Sequence, residues 1–174
     1  ADENFYGCDF ENPFNQDKFK VIYFPEINLE TSNLITNFDF LPTLESEDWL
    51  MPFQGCCSLS FSRKLAPISI SDSQFNIFSE YSHRYDIPDC LYDEYLDLFC
   101  LDRHKLGGYP NFVQNDPRPN SSEEPLILLF QVGSDRSEAI DIMWADGGIG
   151  NFFIERSHLE KLDFTQVLYN WDCG

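Results

Sequence analysis

Residues 126–132 read LILLFQV, a nearly continuous apolar run. A run of this kind is typical of a central β-strand that is buried on both faces. Two further strand-like runs follow, AIDIMWA at 139–145 and IGNFFIE at 149–155, and they flank the turn sequence DGG. Two strand patterns around Asp-Gly-Gly predict a β-hairpin. We therefore expect the C-terminal half of the chain to be built on one extensive sheet.

Three shorter segments also have strand patterns. Residues 19–24 (FKVIYF) are rich in β-branched and aromatic residues, which favours a strand. Residues 57–62 (CSLSFS) alternate between apolar and polar side chains, which is typical of a half-buried strand. Residues 166–171 alternate in the same way and predict a last strand near the C-terminus.

Short helices are predicted between the strands. Residues 71–79 and 88–101 have helical patterns, and Pro88 suits the first turn of the second helix. Ser157 followed by Glu160 fits a capping box and predicts one more short helix. Several strands combined with a few short helices indicate the α+β class.

The predicted helix at 88–101 has two contrasting faces. Its apolar stripe is expected to face the core and consists of Leu91, Tyr95, Leu98 and Phe99. The opposite side carries an acidic ridge, which we define as Asp89, Asp93, Glu94 and Asp97. Like charges at i and i+4 each cost about 0.2–0.5 kcal/mol in a helix. Two interpretations stay open, an ordinary solvated face and a docking surface for a basic partner.

The composition is that of a folded and strongly acidic domain. The chain has 174 residues, which suits one domain, and 43% of them are hydrophobic. The 30 acidic residues outnumber the 11 basic ones and give a net charge of −19. This charge repels phosphate backbones and anionic lipids, so we expect neither nucleic acid nor a membrane as a partner. It attracts basic proteins, although solubility or a salty habitat would explain the same charge.

The cysteines and histidines form no metal-binding pattern. The six cysteines include no CxxC pair, and the three histidines lie far from any cysteine pair. We therefore expect reduced thiols, a cytoplasmic protein and no zinc. The N-terminus lacks the basic start and apolar stretch of a signal peptide. No apolar run approaches the roughly 18 residues of a membrane-spanning helix.

The remaining motifs have structural explanations. The predicted loop at 102–125 contains Gly107 and Gly108 but lacks the spacing of a phosphate-binding loop. His104 is interpreted as a loop histidine, because the sequence supplies no partner that would make it a catalytic base. Residues 144–148 are interpreted as a turn rather than a calcium site. We predict no catalytic residues and no cofactor, and hence no enzyme.

Several stretches of the C-terminal half occur in an order typical of one known family. In chain order they are HKLGGYP at 104–110, LLFQV at 128–132, MWADGG at 143–148, NFFI at 151–154 and YNWDC at 169–173. Together they resemble the YwqG-like family, a bacterial family catalogued as a domain of unknown function. The resemblance is strong over 104–174 and weaker over 18–103. It implies structural roles for Gly107, Gly108, Pro110, Gln114, Gln131, Trp144, Asp146, Gly147, Phe152, Phe153 and Trp171.

The resemblance also implies a fold for the single domain 1–174. This fold is α+β, with a mixed, mainly antiparallel, curved sheet and a few short helices. Family members usually carry Gly in place of Ala145. They also usually have a longer N-terminal part, which holds a first copy of the loop and strand motifs. The chain is therefore expected to correspond to the C-terminal portion of a longer family member.

The same resemblance leads to a functional hypothesis. Family members are found near secreted polymorphic toxins, which implies that many of them serve as immunity proteins. Combined with the net charge of −19, this favours an acidic domain that neutralises a basic toxin domain by direct binding. The predicted contact residues are Glu45, Glu47, Asp48, Asp89, Asp93, Glu94 and Asp97. The alternatives are a general cytosolic adaptor or regulator and, less favoured, an enzyme with an unrecognised site. The oligomeric state is left open.

Overall fold

The structure of the chain is a computed structural model that describes part of its length. The described residues are 6–28, 30, 32, 37, 52–53, 59–81, 86–98, 103–119, 124–137 and 140–174, without the side chains of 78 and 96–98. In chain order the elements are α1 (Phe75–Phe78), α2 (Asp89–Leu98), β1 (His104–Leu106), β2 (Leu126–Gly133), β3 (Asp135–Arg136), β4 (Asp141–Ile142), β5 (Ile149–Glu155), α3 (Arg156–Glu160), a 3-10 helix (Phe164–Gln166) and β6 (Leu168–Asp172). The predicted α+β class is confirmed.

The main sheet has four strands in the order β1-β2-β5-β6. All three neighbouring pairs are antiparallel, and β3 and β4 form a separate two-stranded ribbon. The predicted strand at 126–132 is confirmed as β2, which lies inside the sheet between β1 and β5. Its residues alternate largely between buried and half-buried, so it is not buried on both faces throughout. A bulge between Leu128 and Phe130 shifts its register against β5.

The two faces of the sheet carry separate apolar clusters, because neighbouring residues of a strand point to opposite sides. One cluster consists of Phe112, Leu126, Leu128, Phe153 and Leu168, with Phe14 packed against it. The other is aromatic and consists of Cys8, Trp144 and Tyr169, packed against Tyr6, Phe19, Val132, Ile142, Phe152 and Trp171. The N-terminal segment 6–19 therefore contributes to both clusters, with Phe14 on the first and Tyr6, Cys8 and Phe19 on the second.

The predicted hairpin around DGG is wrong. Its second arm is confirmed as β5, but β5 pairs on one side with β2 and on the other with β6. No edge of β5 is left for the first arm. Among the described residues of that arm, 140–145, only Asp141–Ile142 forms a strand, and it pairs with β3. The DGG turn itself exists, since the Gly148 N–H donates to the Trp144 carbonyl at 2.7 Å.

The predicted strand at 19–24 is also wrong. These residues have no regular structure, and Ile22 and Phe24 are exposed. A strand requires a partner edge, and the outer edge of β6 is already contacted by Pro13, whose carbonyl accepts from the Tyr169 N–H at 2.9 Å. The predicted strand at 57–62 fails in its described part, because residues 59–62 are irregular and exposed, and residues 57 and 58 lie outside the described residues.

The other short elements differ in detail from prediction. The helix at 71–79 shortens to the single turn α1, and the last strand starts at Leu168 because Phe164–Gln166 is a 3-10 helix. His104 opens strand β1 inside the predicted loop 102–125, and the described residues of that loop, 103–119 and 124–125, are otherwise outside any strand. The capping box is wrong, because α3 already begins at Arg156. The N–H of Ser157 donates instead to the carboxylate of Glu124 at 2.9 Å.

Candidate functional site

The acidic ridge lies on α2, which begins at Asp89 directly after Pro88. Asp89, Asp93 and Glu94 are exposed, as predicted. Within the part of the chain that the structure describes, none of these three carboxylates forms an ion pair. The side chain of Asp97 lies outside the described residues, as do Glu45, Glu47 and Asp48. The structure therefore supports an exposed row of at least three carboxylates.

An apolar cleft lies beside this row. It has a volume of about 660 Å³ and separates α2 from the segment 68–81. Its lining, which we call the α1–α2 cleft, includes Ile68, Ile70, Phe75, Ile87, Leu91, Glu94 and Tyr95. The hydroxyl of Tyr95 donates to the Ile68 carbonyl, and its ring lies edge-on to Phe75 with 6.0 Å between centroids. The cleft and the acidic ridge thus meet at Glu94.

The predicted apolar stripe of α2 is only partly buried. Leu91 is 44% exposed, so the prediction that it faces the core is wrong. The reason is that no element packs over the cleft from outside among the described residues. Tyr95 is half-buried, and the side chains of Leu98 and Phe99 lie outside the described residues.

Two of the motif residues, Gln131 and Gln114, form hydrogen bonds that hold the loop at 110–114 against the sheet. Gln131 is fully buried on β2, where its side-chain oxygen accepts from the Asn111 N–H at 2.8 Å. Asn151, opposite it on β5, donates to the Asn111 carbonyl at 2.9 Å. Asp172 accepts from the Gln114 N–H at 2.8 Å, and the Gln114 side chain donates to the Cys173 carbonyl. Gln131 and Gln114 thus help to anchor residues 110–114 on the sheet.

The carboxyl of Asp172 is buried at this anchor. Burial raises its pKa, although the N–H of Gln114 acts in the opposite direction. Its other oxygen has no hydrogen-bond partner within the described residues. The neutral acid is therefore favoured in the folded protein compared with the unfolded chain.

The tryptophan motif has a packing role. Trp144 is 3% exposed and lies 5.7 Å from Tyr6 and 6.4 Å from Trp171 between ring centroids. A Cβ added to Gly150 would lie 2.4 Å from its ring, so the close approach requires glycine there. Phe152 joins this aromatic cluster, whereas Phe153 points into the other one. Trp144 and Trp171 thus form part of the core.

The glycines and the proline of the motifs shape turns. Gly107 and Gly108 have φ values of +67° and +76°, and Pro110 is buried where the loop meets the sheet. Asp146 is exposed in the DGG turn, where Gly147 has a φ of +80°. The three glycines thus allow the backbone to turn at these positions.

A buried ion cluster was missed by sequence reasoning. Arg118 donates to Asp72 at 2.6 Å and to Asp116 at 2.5 Å, and these side chains are 7%, 0% and 6% exposed. Arg118 also lies over the ring of Phe153, 5.2 Å from its centroid. Its three residues are separated by up to 46 positions, so no local sequence pattern links them. The cluster ties the segment before α1 to the loop before β2.

The two carboxyls of this cluster differ in their electrostatics. Burial raises the pKa of Asp72 more than Arg118 and the Gln74 N–H lower it. Burial also opposes ionisation of Asp116, but the hydrogen bonds and charge of Arg118 outweigh it and lower its pKa. With one arginine for two acids, the cluster has no surplus positive charge for a ligand, and we assign it a structural role.

Three further findings concern the described residues. Among the residues that the structure describes, no helix is long and apolar enough to cross a membrane. In the same residues, no three His, Cys, Asp or Glu side chains gather in a way that could hold a metal ion. Cys8, Cys90 and Cys173 are free thiols.

The comparisons with known proteins give a family but no function. No curated protein matches this chain. Residues 1–173 match the sequence model of a family described as a domain of unknown function, DUF1963. Since that match spans nearly the whole chain, the protein belongs to the DUF1963 family.

Proposed function

We propose that this domain binds a basic protein through the acidic ridge of α2. In its most specific form, the proposal is that the chain is a YwqG-like immunity protein, which neutralises a basic toxin domain by direct binding. The observation that carries it is the exposure of Asp89, Asp93 and Glu94 on one helix without an ion-pair partner in the described residues.

In the unbound protein, repulsion between the carboxylates of the ridge destabilises α2. Asp89 and Asp93 are spaced i and i+4, which destabilises a helix by about 0.2–0.5 kcal/mol. Asp89 is compensated in part by the N-terminal end of the helix dipole, but Asp93 is not in the first turn. A basic partner would remove this repulsion on binding, and the net charge of −19 would accelerate the encounter.

The α1–α2 cleft offers an apolar contact surface, which the acidic ridge alone does not provide. Charged groups at the rim of an interface contribute mainly to the association rate, whereas apolar side chains seated in clefts contribute most of the affinity. Leu91 is 44% exposed and lines the cleft beside Glu94. A partner with an apolar side chain next to Lys or Arg would fill the cleft and pair with the ridge.

The same surface would serve the alternative, a cytosolic adaptor. The genes adjacent to the gene that encodes this chain discriminate between the immunity protein and the adaptor. A secreted toxin encoded next to it favours the immunity function, and its catalytic domain is then the partner to test.

The test measures association of that toxin domain with three forms of the protein. Asp89→Lys/Asp93→Lys reverses the ridge, and Glu26→Lys/Glu160→Lys changes the net charge equally at two exposed sites elsewhere. We expect the ridge variant to associate at least about tenfold more slowly at low salt, and the control to change much less. Likewise, the ridge variant should protect growing cells from the co-expressed toxin less well than the control variant does.

Two results would count against the proposal. If both double variants slow association equally, net charge rather than the ridge is responsible. If the ridge variant binds and protects like the original protein, α2 is not the contact surface. Circular dichroism and urea unfolding establish that both variants are folded.

A further inference from the structure

A second concave surface lies on the sheet, away from the acidic ridge. His104 and Leu106 of β1 stand opposite Val132 and Phe130 of β2, so these four side chains share one face. The far end of that face, on β5 and β6, is covered by the aromatic cluster around Trp144. The near end is open and forms a groove.

This β1–β2 groove has the dimensions of a small-molecule site. Its volume is about 830 Å³, and sites for small ligands span roughly 300–1,000 Å³. Phe130, Val132 and Ile142 contribute apolar surface, and the irregular segment 59–64 forms the opposite wall. Leu106 is 60% exposed at its edge. An apolar ligand body of comparable size would be buried against these side chains.

The lining of the groove differs in composition from the rest of the protein. The chain has 30 acidic and 11 basic residues. Yet the lining residues that the structure describes include Arg63, Lys64, Lys105 and His104 and no Asp or Glu. The Nζ of Lys105 donates to the Tyr109 carbonyl at 3.1 Å, and His104 contacts Asp135 at 3.2 Å beside the groove. The described lining therefore offers basic side chains and no carboxylate, in contrast to the acidic composition of the whole chain.

We infer that the β1–β2 groove binds a small amphipathic anion, an apolar chain or ring that bears one carboxylate or phosphate group. The apolar body would lie on Phe130, Val132 and Ile142. The anionic group would be held by Arg63, with Lys64 next to it in the chain. Arginine and lysine are the residues that pair best with such groups.

The charge pattern separates this site from the protein-binding surface. A basic protein would be attracted to the ridge on α2 and repelled by Arg63 and Lys64. The strong negative charge of the rest of the chain would keep a nucleic acid away from the groove. A small anion, in contrast, can enter a local positive region at physiological ionic strength, where distant charges are screened within about 8 Å.

The test compares four amphiphiles that share one alkyl chain, each below its micelle concentration, by titration calorimetry. Dodecanoate and dodecyl phosphate represent the two possible headgroups. Dodecanol is the neutral control and dodecyltrimethylammonium the cationic control. We expect one or both anions to bind at least about tenfold more tightly than the alcohol, and the cation to bind most weakly. The tighter anion identifies the headgroup.

A charge-reversal variant locates the site. Arg63 and Lys64 are both exposed, so Arg63→Glu/Lys64→Glu should fold normally. It is expected to lose at least about tenfold in affinity for the anions and to bind the alcohol unchanged. Arg156→Glu/Lys161→Glu, on exposed positions of α3 and its end, is the matched control and should bind like the original protein.

Three results would overturn the inference. One is the absence of binding by all four compounds, and another is equal affinity for dodecanoate, dodecyl phosphate and dodecanol. The third is an equal loss of anion binding in both charge-reversal variants. The Asp89→Lys/Asp93→Lys variant should bind the anions as before, so failure of this proposal and failure of the protein-binding proposal are distinguishable.

Discussion

Gln131 on β2 and Asn151 on β5 stand opposite each other, and both bind the backbone of the same loop residue. The Gln131 side chain accepts from the Asn111 N–H, and the Asn151 side chain donates to the Asn111 carbonyl. Both side chains are fully buried. The pair therefore replaces, for one loop residue, the two hydrogen bonds that a neighbouring strand would provide.

Replacing Gln131 with Leu should destabilise the fold without adding bulk. The Asn111 N–H would be left buried without an acceptor, which costs about 1–3 kcal/mol in the free energy of unfolding. Urea unfolding measures the difference. The same substitution at the exposed Gln166 should change stability by less than about 0.5 kcal/mol. Equal effects at the two positions would mean that Gln131 does not anchor the loop.

The ion cluster gives a second prediction. Arg118→Met keeps the apolar stem but leaves the buried carboxyls of Asp72 and Asp116 without their cation. Breaking a buried ion pair from one side costs about 3–5 kcal/mol. Arg136→Met removes an arginine from an exposed pair with Asp141 and should cost about 0–1 kcal/mol. Thermal or urea unfolding compares the two, and a similar loss in both would contradict the structural role of the cluster.

Much of the sheet was predictable from local pattern. The runs at 126–132 and 149–155 form β2 and β5, because apolar residues of this density find partners on either side. The run at 19–24 looks equally suitable but forms no strand. Whether this run forms a strand depends on the presence of a free sheet edge. Residues distant in sequence determine whether such an edge exists. For the same reason the hairpin prediction failed, although the turn was correct.

The candidate sites also include features that the sequence predicted and features that it could not. Exposure of the acidic ridge follows from the helical spacing of Asp89, Asp93 and Glu94, and the structure confirms it. The α1–α2 cleft and the β1–β2 groove could not be predicted, since each is assembled from segments that meet only in the folded protein. The hydrogen bond by which Gln131 anchors the loop could not be predicted either, because its partner Asn111 lies 20 positions away.

Asp172 predicts a pH dependence with a definite sign. Burial raises its pKa above the ordinary value of 3.8, so the folded state favours the protonated carboxyl. Its contribution to stability is fully present below that ordinary value and is lost as the pH rises through the raised pKa. Between about pH 3 and pH 7, the stability of the original protein relative to Asp172→Asn should therefore fall as the pH increases.

Glu124 provides a control of opposite sign. Hydrogen bonds from the Ser157 hydroxyl and N–H lower its pKa, so its contribution is present above the ordinary value of 4.5 and is lost as the pH falls. Relative to Glu124→Gln, the stability of the original protein should rise with pH over the same interval. Urea unfolding at several pH values measures both differences. Parallel slopes for the two variants would show that burial does not govern Asp172.

Ala145 gives the last prediction, which concerns the left-handed backbone of the DGG turn. Ala145 is exposed in the DGG turn with a φ of +44°, a left-handed conformation that strains an L-residue by about 1–2 kcal/mol. Glycine adopts it freely but adds about 0.5–1 kcal/mol of unfolded-state entropy. Ala145→Gly should therefore raise the free energy of unfolding by up to about 1 kcal/mol. Ala66→Gly, at an exposed position outside the left-handed region, should give no gain. If Ala145→Gly destabilises the protein as Ala66→Gly does, the turn holds alanine without strain.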